Sequence, residues 1–159
     1  MQIRFTKGKD KPDTLHCIRA DGSETWTRLK NGFGALHDLA HYAVETTLGF
    51  DQAFFGLLAQ GRSIEEFAET DDRSWVGEQG MVTETIVMTL QYETAHVAAP
   101  ETFFEMVDEA CRGLGIATPA ALTPEALAAM RERYSALLMQ WATTPPGGRL
   151  ELDFPDGER

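Results

Sequence analysis

The sequence predicts an α+β fold, and three observations carry that expectation. Residues near both ends alternate apolar and polar side chains, as half-buried strands do. Asp21-Gly22 lies between two such runs and is a strong hairpin signal. Residues 32–143 instead carry helical patterns of apolar residues, punctuated by caps and breakers. A small antiparallel sheet made from both termini, packed with a layer of about five helices, accommodates all three.

The elements follow in order. Ile3 and Phe5 fall on one side of residues 2–6, a short strand. Lys7 to Asp13, with Gly8 and Pro12, is a connection. Thr14–Ala20 and Ser23–Leu29 are the hairpin arms. A first helix is expected over Phe33–Leu48, closed by Gly49. Asp51 caps a short second helix running through Ala53 to Leu58, and Ser63-Ile64-Glu65-Glu66 is a capping box that opens a third. Residues 71–80 read as a loop, and a long helix is expected over about Val82–Ala98. Pro100 suits the first turn of the next helix, whose inner side would be Phe103, Phe104, Val107, Ala110, Cys111 and Leu114. Thr123-Pro124-Glu125 starts the last helix, with an apolar stripe of Leu127, Met130, Tyr134, Leu137, Leu138 and Trp141. Pro145-Pro146-Gly147-Gly148 stops it. Leu150, Leu152 and Phe154 then alternate with Glu151 and Asp153 in a closing strand at 149–154.

At 159 residues the chain is expected to form one domain, 1–159. Its 43% hydrophobic and 25% charged content is the mixture of a soluble globular protein. The polar start holds no apolar run that could act as a signal peptide, and no stretch is long enough to span a bilayer. Cys17 and Cys111 are far apart and suit reduced, buried thiols, so a cytoplasmic location is expected. The net charge of −11 is uneven: residues 1–31, the β-rich segment, balance at +3, and the helical body and closing strand hold −14. Such an acidic body repels phosphate backbones, which argues against nucleic acid as a partner. The basic segment reads as a solvated face, although it would also suit the acidic body of a second copy.

Chemistry concentrates in His37-Asp38-Leu39-Ala40-His41-Tyr42-Ala43-Val44-Glu45. On a helical wheel, Phe33, Leu36, Leu39, Ala40, Ala43, Val44 and Leu48 form one apolar arc. His37 falls inside it, His41 on its border, Glu45 one step further out and Asp38 on the polar flank. His37 and His41 lie one turn apart, the spacing a single metal ion needs. Glu45 is about 12 Å along the axis from His37, so it suits a partner that orients His41 better than a ligand. The expected long helix places Glu93 beside an arc of Ile86, Val87, Leu90, Thr94 and Val97, with His96 completing a Glu-x-x-His pair. Glu93 is therefore the expected third ligand and His96 the alternative. Two histidines with a carboxylate suit zinc in preference to iron(II). A metal-free alternative stands beside this one: a buried hydrogen-bond network in which Glu93 accepts from a histidine.

His37-Asp38-x-x-His41 also resembles the His-Glu-x-x-His motif of zinc metallohydrolases, with Asp38 in the place of the glutamate. The resemblance implies that His37 and His41 bind zinc and that Asp38 is the general base acting on a zinc-bound water.

The following aromatic segment, with Phe50, Phe54 and Phe55, could wall an apolar pocket for a small molecule or form a homodimer surface. Trp75, in Asp71-Asp72-Arg73-Ser74-Trp75, could act as a lid residue or belong to a solvated turn. Gly32-Phe33-Gly34 lacks the remaining residues of a phosphate cradle, no Gly-x-Ser-x-Gly elbow occurs, and neither cysteine has a neighbouring base. Three readings remain: a metal-dependent hydrolase, a small-molecule-binding protein and a non-catalytic interaction module.

Overall fold

The computed structural model describes residues 1–30, 33–69 and 76–155. Strands β1 (Gln2–Thr6), β2 (Thr14–Ile18), β3 (Glu24–Arg28) and β4 (Arg149–Asp153) form one antiparallel sheet in the order β3-β2-β1-β4. The period-2 alternation sets the register. Phe5 lies opposite Leu15 and Leu150, and Ile3 opposite Cys17 and Leu152, so one face is apolar. Ile3, Phe5, Leu15 and Cys17 are fully buried there. The other face carries Arg4, which pairs with Glu151 at 2.7 Å, and the exposed Trp26 opposite His16.

Helices α1 (Phe33–Leu48), α2 (Phe54–Ala59), α3 (Ile64–Glu69), α4 (Glu78–Thr94), α5 (Phe103–Leu114) and α6 (Pro124–Thr143) follow, with a 3-10 turn at Pro100–Thr102. The fold is α+β, as the patterning predicts. Helix α1 is central and touches α2, α4 and α6. Its Ala35, Ala40 and Ala43 are fully buried and let neighbouring helices approach closely. Gly49, at φ +68°, ends it in the left-handed conformation that glycine adopts without strain. Helix α6 begins at a Thr123 cap whose hydroxyl accepts from the Ala126 N–H at 3.2 Å. It buries Leu127, Met130, Tyr134, Leu137 and Trp141 at three- and four-residue spacing. Trp141 meets Phe5 edge-on at 6.1 Å, tying the helical layer to the sheet.

Helix α4 departs from expectation. It starts at Glu78 and stops at Thr94, four residues N-terminal to the expected span. The stop is His96, at φ +57°, the left-handed residue of a Schellman motif: its N–H donates to Glu93 O at 2.9 Å, and the Val97 N–H to Tyr92 O at 2.8 Å. Val97 is consequently exposed rather than on an inner face. Buried threonines in α4 are satisfied within the helix: Thr89 donates to Thr85 O at 2.8 Å and Thr83 to Gln79 O at 2.7 Å. In α5, Phe103, Val107 and Cys111 are buried, whereas Ala110 and Leu114 are exposed. One apolar cluster joins the inner sheet face to residues of α1 through α6. The described residues include no helix long and apolar enough to cross a membrane.

Candidate metal centre

Helices α1 and α4 run antiparallel along the site, so His37 lies against Gln91 and His41 against Glu84. The two imidazoles meet edge-on, 4.8 Å between ring centroids. Both Nε2 atoms face Glu84: His41 Nε2 is 3.2 Å from Oε1, and His37 Nε2 is 3.7 Å from Oε2. One ligand atom from each of the three residues can be chosen so that all lie within 4.8 Å of one another, an arrangement that could hold a metal ion. A tetrahedral ion with bonds of about 2.0–2.1 Å holds its ligand atoms about 3.3 Å apart. The His41–Glu84 edge already has that spacing. The His37–Glu84 edge is wider, and the Glu84 side chain is 47% exposed.

The opposite ring nitrogens are held by side-chain oxygens. His37 Nδ1 lies 3.0 Å from Gln91 Oε1, and His41 Nδ1 lies 3.2 Å from Glu45 Oε1. Glu45 is fully buried and does a second job. Its Oε1 accepts from the Phe55 N–H at 3.2 Å and its Oε2 from the Gly56 N–H at 3.0 Å. Residue 53, at the N-cap of α2, is an alanine with no side-chain acceptor. Glu45 therefore caps α2 from a neighbouring helix, satisfying two N–H groups of its first turn. Gly56 has to be glycine, because a Cβ there would lie 2.3 Å from the Asp51 carbonyl.

Charge follows from these contacts. Burial disfavours the charged form of His41, but the hydrogen bonds it donates to the Glu45 and Glu84 carboxylates outweigh it and raise its pKa to about 10. Without a metal, His41 is an imidazolium between two carboxylates. His37 is pushed the other way, by its burial and then by the charge on His41. Asp38 is half-buried in the wall of a cleft of about 390 Å³, shared with His37, His41, Phe54, Phe67 and Glu84. Burial pushes its carboxyl up to about 7, with His41 opposing and Glu84 and Glu45 adding to the rise.

Several expected site residues lie elsewhere. Glu93 does not reach the histidines; it pairs with Arg131 of α6 at 2.7 Å, about 13 Å along α4 from Glu84. The reason is the helix crossing: Glu84, Val87 and Gln91 share the face that meets α1, and Glu93 points from another face toward α6. His96 is the exposed helix stop described above. The burial order of the histidines is inverted, with His41 at 3% and His37 at 37% side-chain exposure, because α2 and Phe54 cover the His41 side. Phe50 and Phe55 are core residues, not surface, while Phe54 lines the cleft and packs 4.9 Å from Phe67. Trp75 and the preceding Asp71 to Ser74 lie outside the described residues. Glu84 and Gln91 were not expected from sequence. The available signal is their seven-residue spacing, two helical turns on one face of α4. No family model, curated protein or solved structure matches the chain.

Proposed function

We propose that the protein binds one divalent metal ion, zinc in preference to iron(II), through His37 Nε2, His41 Nε2 and the Glu84 carboxylate. The ion would serve hydrolysis of a small molecule in the adjoining cleft. The carrying observation is the convergence of both Nε2 atoms on Glu84 while each Nδ1 is held by a side-chain oxygen. Zinc-binding histidines characteristically have their second nitrogen fixed in this way. Three protein ligands leave a fourth position for water or substrate, and a bound ion would polarise a carbonyl or acidify that water. Asp38, in the cleft wall with a carboxyl near neutrality, is suited to take up the proton.

One observation favours a metal-free reading: His41 already bridges Glu45 and Glu84 and, as an imidazolium, is satisfied without an ion. Metal content measured by plasma mass spectrometry, before and after dialysis against zinc, separates the two. Near-stoichiometric metal is expected in wild type and in Glu93→Gln. It should be lost in Glu84→Gln and in the His37→Ala, His41→Ala double variant, with circular dichroism showing each still folded. A wild type that takes up neither zinc nor iron(II) overturns the proposal and leaves the polar network as architecture.

A further inference from the structure

We propose that the protein pairs with a second copy of itself along the outer edge of β3. Two antiparallel β3 strands meet about a two-fold axis at Trp26 and join the two four-stranded sheets into one. The contact involves none of the residues of the metal site and stands or falls independently of it.

Strand β3 is an outer strand, and its pairing with β2 fixes which backbone groups face outward. The Leu29 N–H donates to Asp13 O at 2.8 Å, and the Arg19 N–H to Ser23 O at 2.9 Å. In an antiparallel ladder, residues 25 and 27 are then the ones bonded to β2, and the N–H and C=O groups of Glu24, Trp26 and Arg28 point away from the sheet. Among the described residues, none of these groups has a hydrogen-bond partner. Helix α3 reaches β3 from the inner face instead, where the Ile64 N–H donates to Thr25 Oγ1 at 3.0 Å. The side chains of Glu24, Trp26 and Arg28 are all exposed on the outer face. Neither proline nor lysine, the residues that commonly guard an edge, occurs in the strand.

The strand Glu24-Thr25-Trp26-Thr27-Arg28 is complementary to itself when reversed. Paired about Trp26, Glu24 of each copy lies opposite Arg28 of the other, Thr25 lies opposite Thr27, and the two Trp26 rings meet at the axis. Facing residues whose outward groups bond to each other have Cα atoms about 5.5 Å apart, close enough for ion pairs and ring contact. Arg28 makes no ion pair among the described residues, and Glu24 holds His16 Nε2 at 2.9 Å with one of its two oxygens. Trp26 is 53% exposed in the single chain and would be covered. Charge favours this end of the molecule as well: residues 1–31 balance at +3, whereas the remainder carries −14 and repels a second copy. The opposite edge makes the contrast. In β4 the outward residues are Arg149, Glu151 and Asp153, because the Phe154 N–H donates to Met1 O and the Lys7 N–H to Gly148 O. There the Asp153 carbonyl already accepts from the Tyr42 hydroxyl at 2.9 Å, and pairing about Glu151 would set two glutamates face to face.

The test is sedimentation velocity of the full chain in EDTA, which removes any metal bridging between copies. A five-residue strand pair is a small interface, so a reversible monomer–dimer equilibrium is expected within about 1–200 µM. Glu24→Arg sets arginine against arginine and Arg28→Glu sets glutamate against glutamate, so each variant alone should associate roughly 10-fold more weakly. Mixed in equal amounts, the two variants are complementary again and should form a heterodimer. Both positions are exposed, and circular dichroism checks that each variant is folded. Amide hydrogen exchange reads the backbone directly. Raising the wild-type concentration should slow exchange at Glu24, Trp26 and Arg28 and leave Thr25 and Thr27, already bonded to β2, unchanged. A wild type that stays monomeric across the range overturns the proposal. So does a dimer that both charge variants leave intact, which would be using another surface, or a mixture of the two variants that fails to associate.

Discussion

Glu45→Gln isolates what the buried carboxylate contributes to the fold. Three donors converge on it: the Phe55 and Gly56 N–H groups and His41 Nδ1. Glutamine keeps the shape but offers one acceptor oxygen. If its amide nitrogen replaces Oε1, two donors lose their partner; if it replaces Oε2, only the Gly56 N–H does, so the second orientation wins. One buried N–H left unsatisfied costs about 1–3 kcal/mol. The two surviving bonds lose charge assistance, roughly 0.5–1 kcal/mol each. The sum is about 3 kcal/mol, and a chain of this length shifts its Tm by about 2–4 °C per kcal/mol. A fall of roughly 6–12 °C is therefore expected. Urea unfolding in EDTA at pH 7, followed by far-ultraviolet circular dichroism with an unchanged m-value, measures it directly. A loss under about 1 kcal/mol would refute the assignment of Glu45 as the cap of α2. Glu84→Gln makes the contrast. Its carboxylate is about half exposed, so the cost should stay below about 1 kcal/mol while zinc uptake is lost.

Asp38 carries a stability cost with a defined pH dependence. Its folded pKa is raised from the ordinary 3.8 to about 7, so the folded protein holds a proton that the unfolded chain has already released. The associated stability is complete below about pH 4 and is lost as pH climbs to about 7. Metal-free Asp38→Asn should therefore exceed wild type at pH 8 by about 1–3 kcal/mol, with the advantage gone at pH 4. In urea titrations, a variant no more stable at pH 8 would contradict this. If Asp38 is the general base, the variant should also retain zinc while losing any hydrolytic activity. Burial pushes the Cys17 thiol from 9.0 up to about 12, so the unfolded thiol ionises first and stability should fall as pH rises from 9 toward 12. At pH 8, Cys17 should resist iodoacetamide until urea is added; rapid alkylation of the native chain would show that the inner sheet face is open. His96→Gly should stabilise by about 0.5–1 kcal/mol, since it relieves a left-handed non-glycine residue at the end of α4. It should leave zinc uptake unchanged, and a loss of either would point to a role for the imidazole.

Much of the fold is legible in the sequence because it rests on short-range rules. Ile3 and Phe5, Leu15 and Cys17, and Leu150 and Leu152 alternate, and the same residues meet across the sheet. Gly49 closes α1, and Thr123-Pro124 opens α6, through caps readable from a few residues. The error in α4 has a physical source. His96 takes a left-handed conformation usually left to glycine, so no residue type announces the stop. The site is harder to read for a different reason. The His37–His41 pair is local to one helix, but its carboxylate comes from whichever turn of α4 the crossing presents. A wheel shows that Glu93 borders an apolar arc; it does not show which neighbouring helix that border meets. Gln91 is further removed, since its contact with His37 requires α1 and α4 to be placed together.

The polar burial in α1 is not something this fold requires. Glu45 is fully buried and His41 nearly so, at positions where leucine would each contribute about 2 kcal/mol of burial. A cap for α2 is also available without them: an aspartate at position 53, where the chain has alanine, would accept from the same turn. Replacing a buried ion pair by well-packed apolar residues is often neutral or stabilising by about 1–4 kcal/mol. The triple variant His41→Leu, Glu45→Leu, Ala53→Asp is therefore expected to fold with stability equal to or above wild type and to bind no zinc. Urea unfolding and metal content measured on one preparation decide it. Should the triple variant be several kcal/mol less stable, the pair would be serving the architecture. Should it be as stable and metal-free, Glu45 and His41 are retained for what they hold in place: an imidazole turned toward Glu84, in the lining of a cleft walled by Phe54.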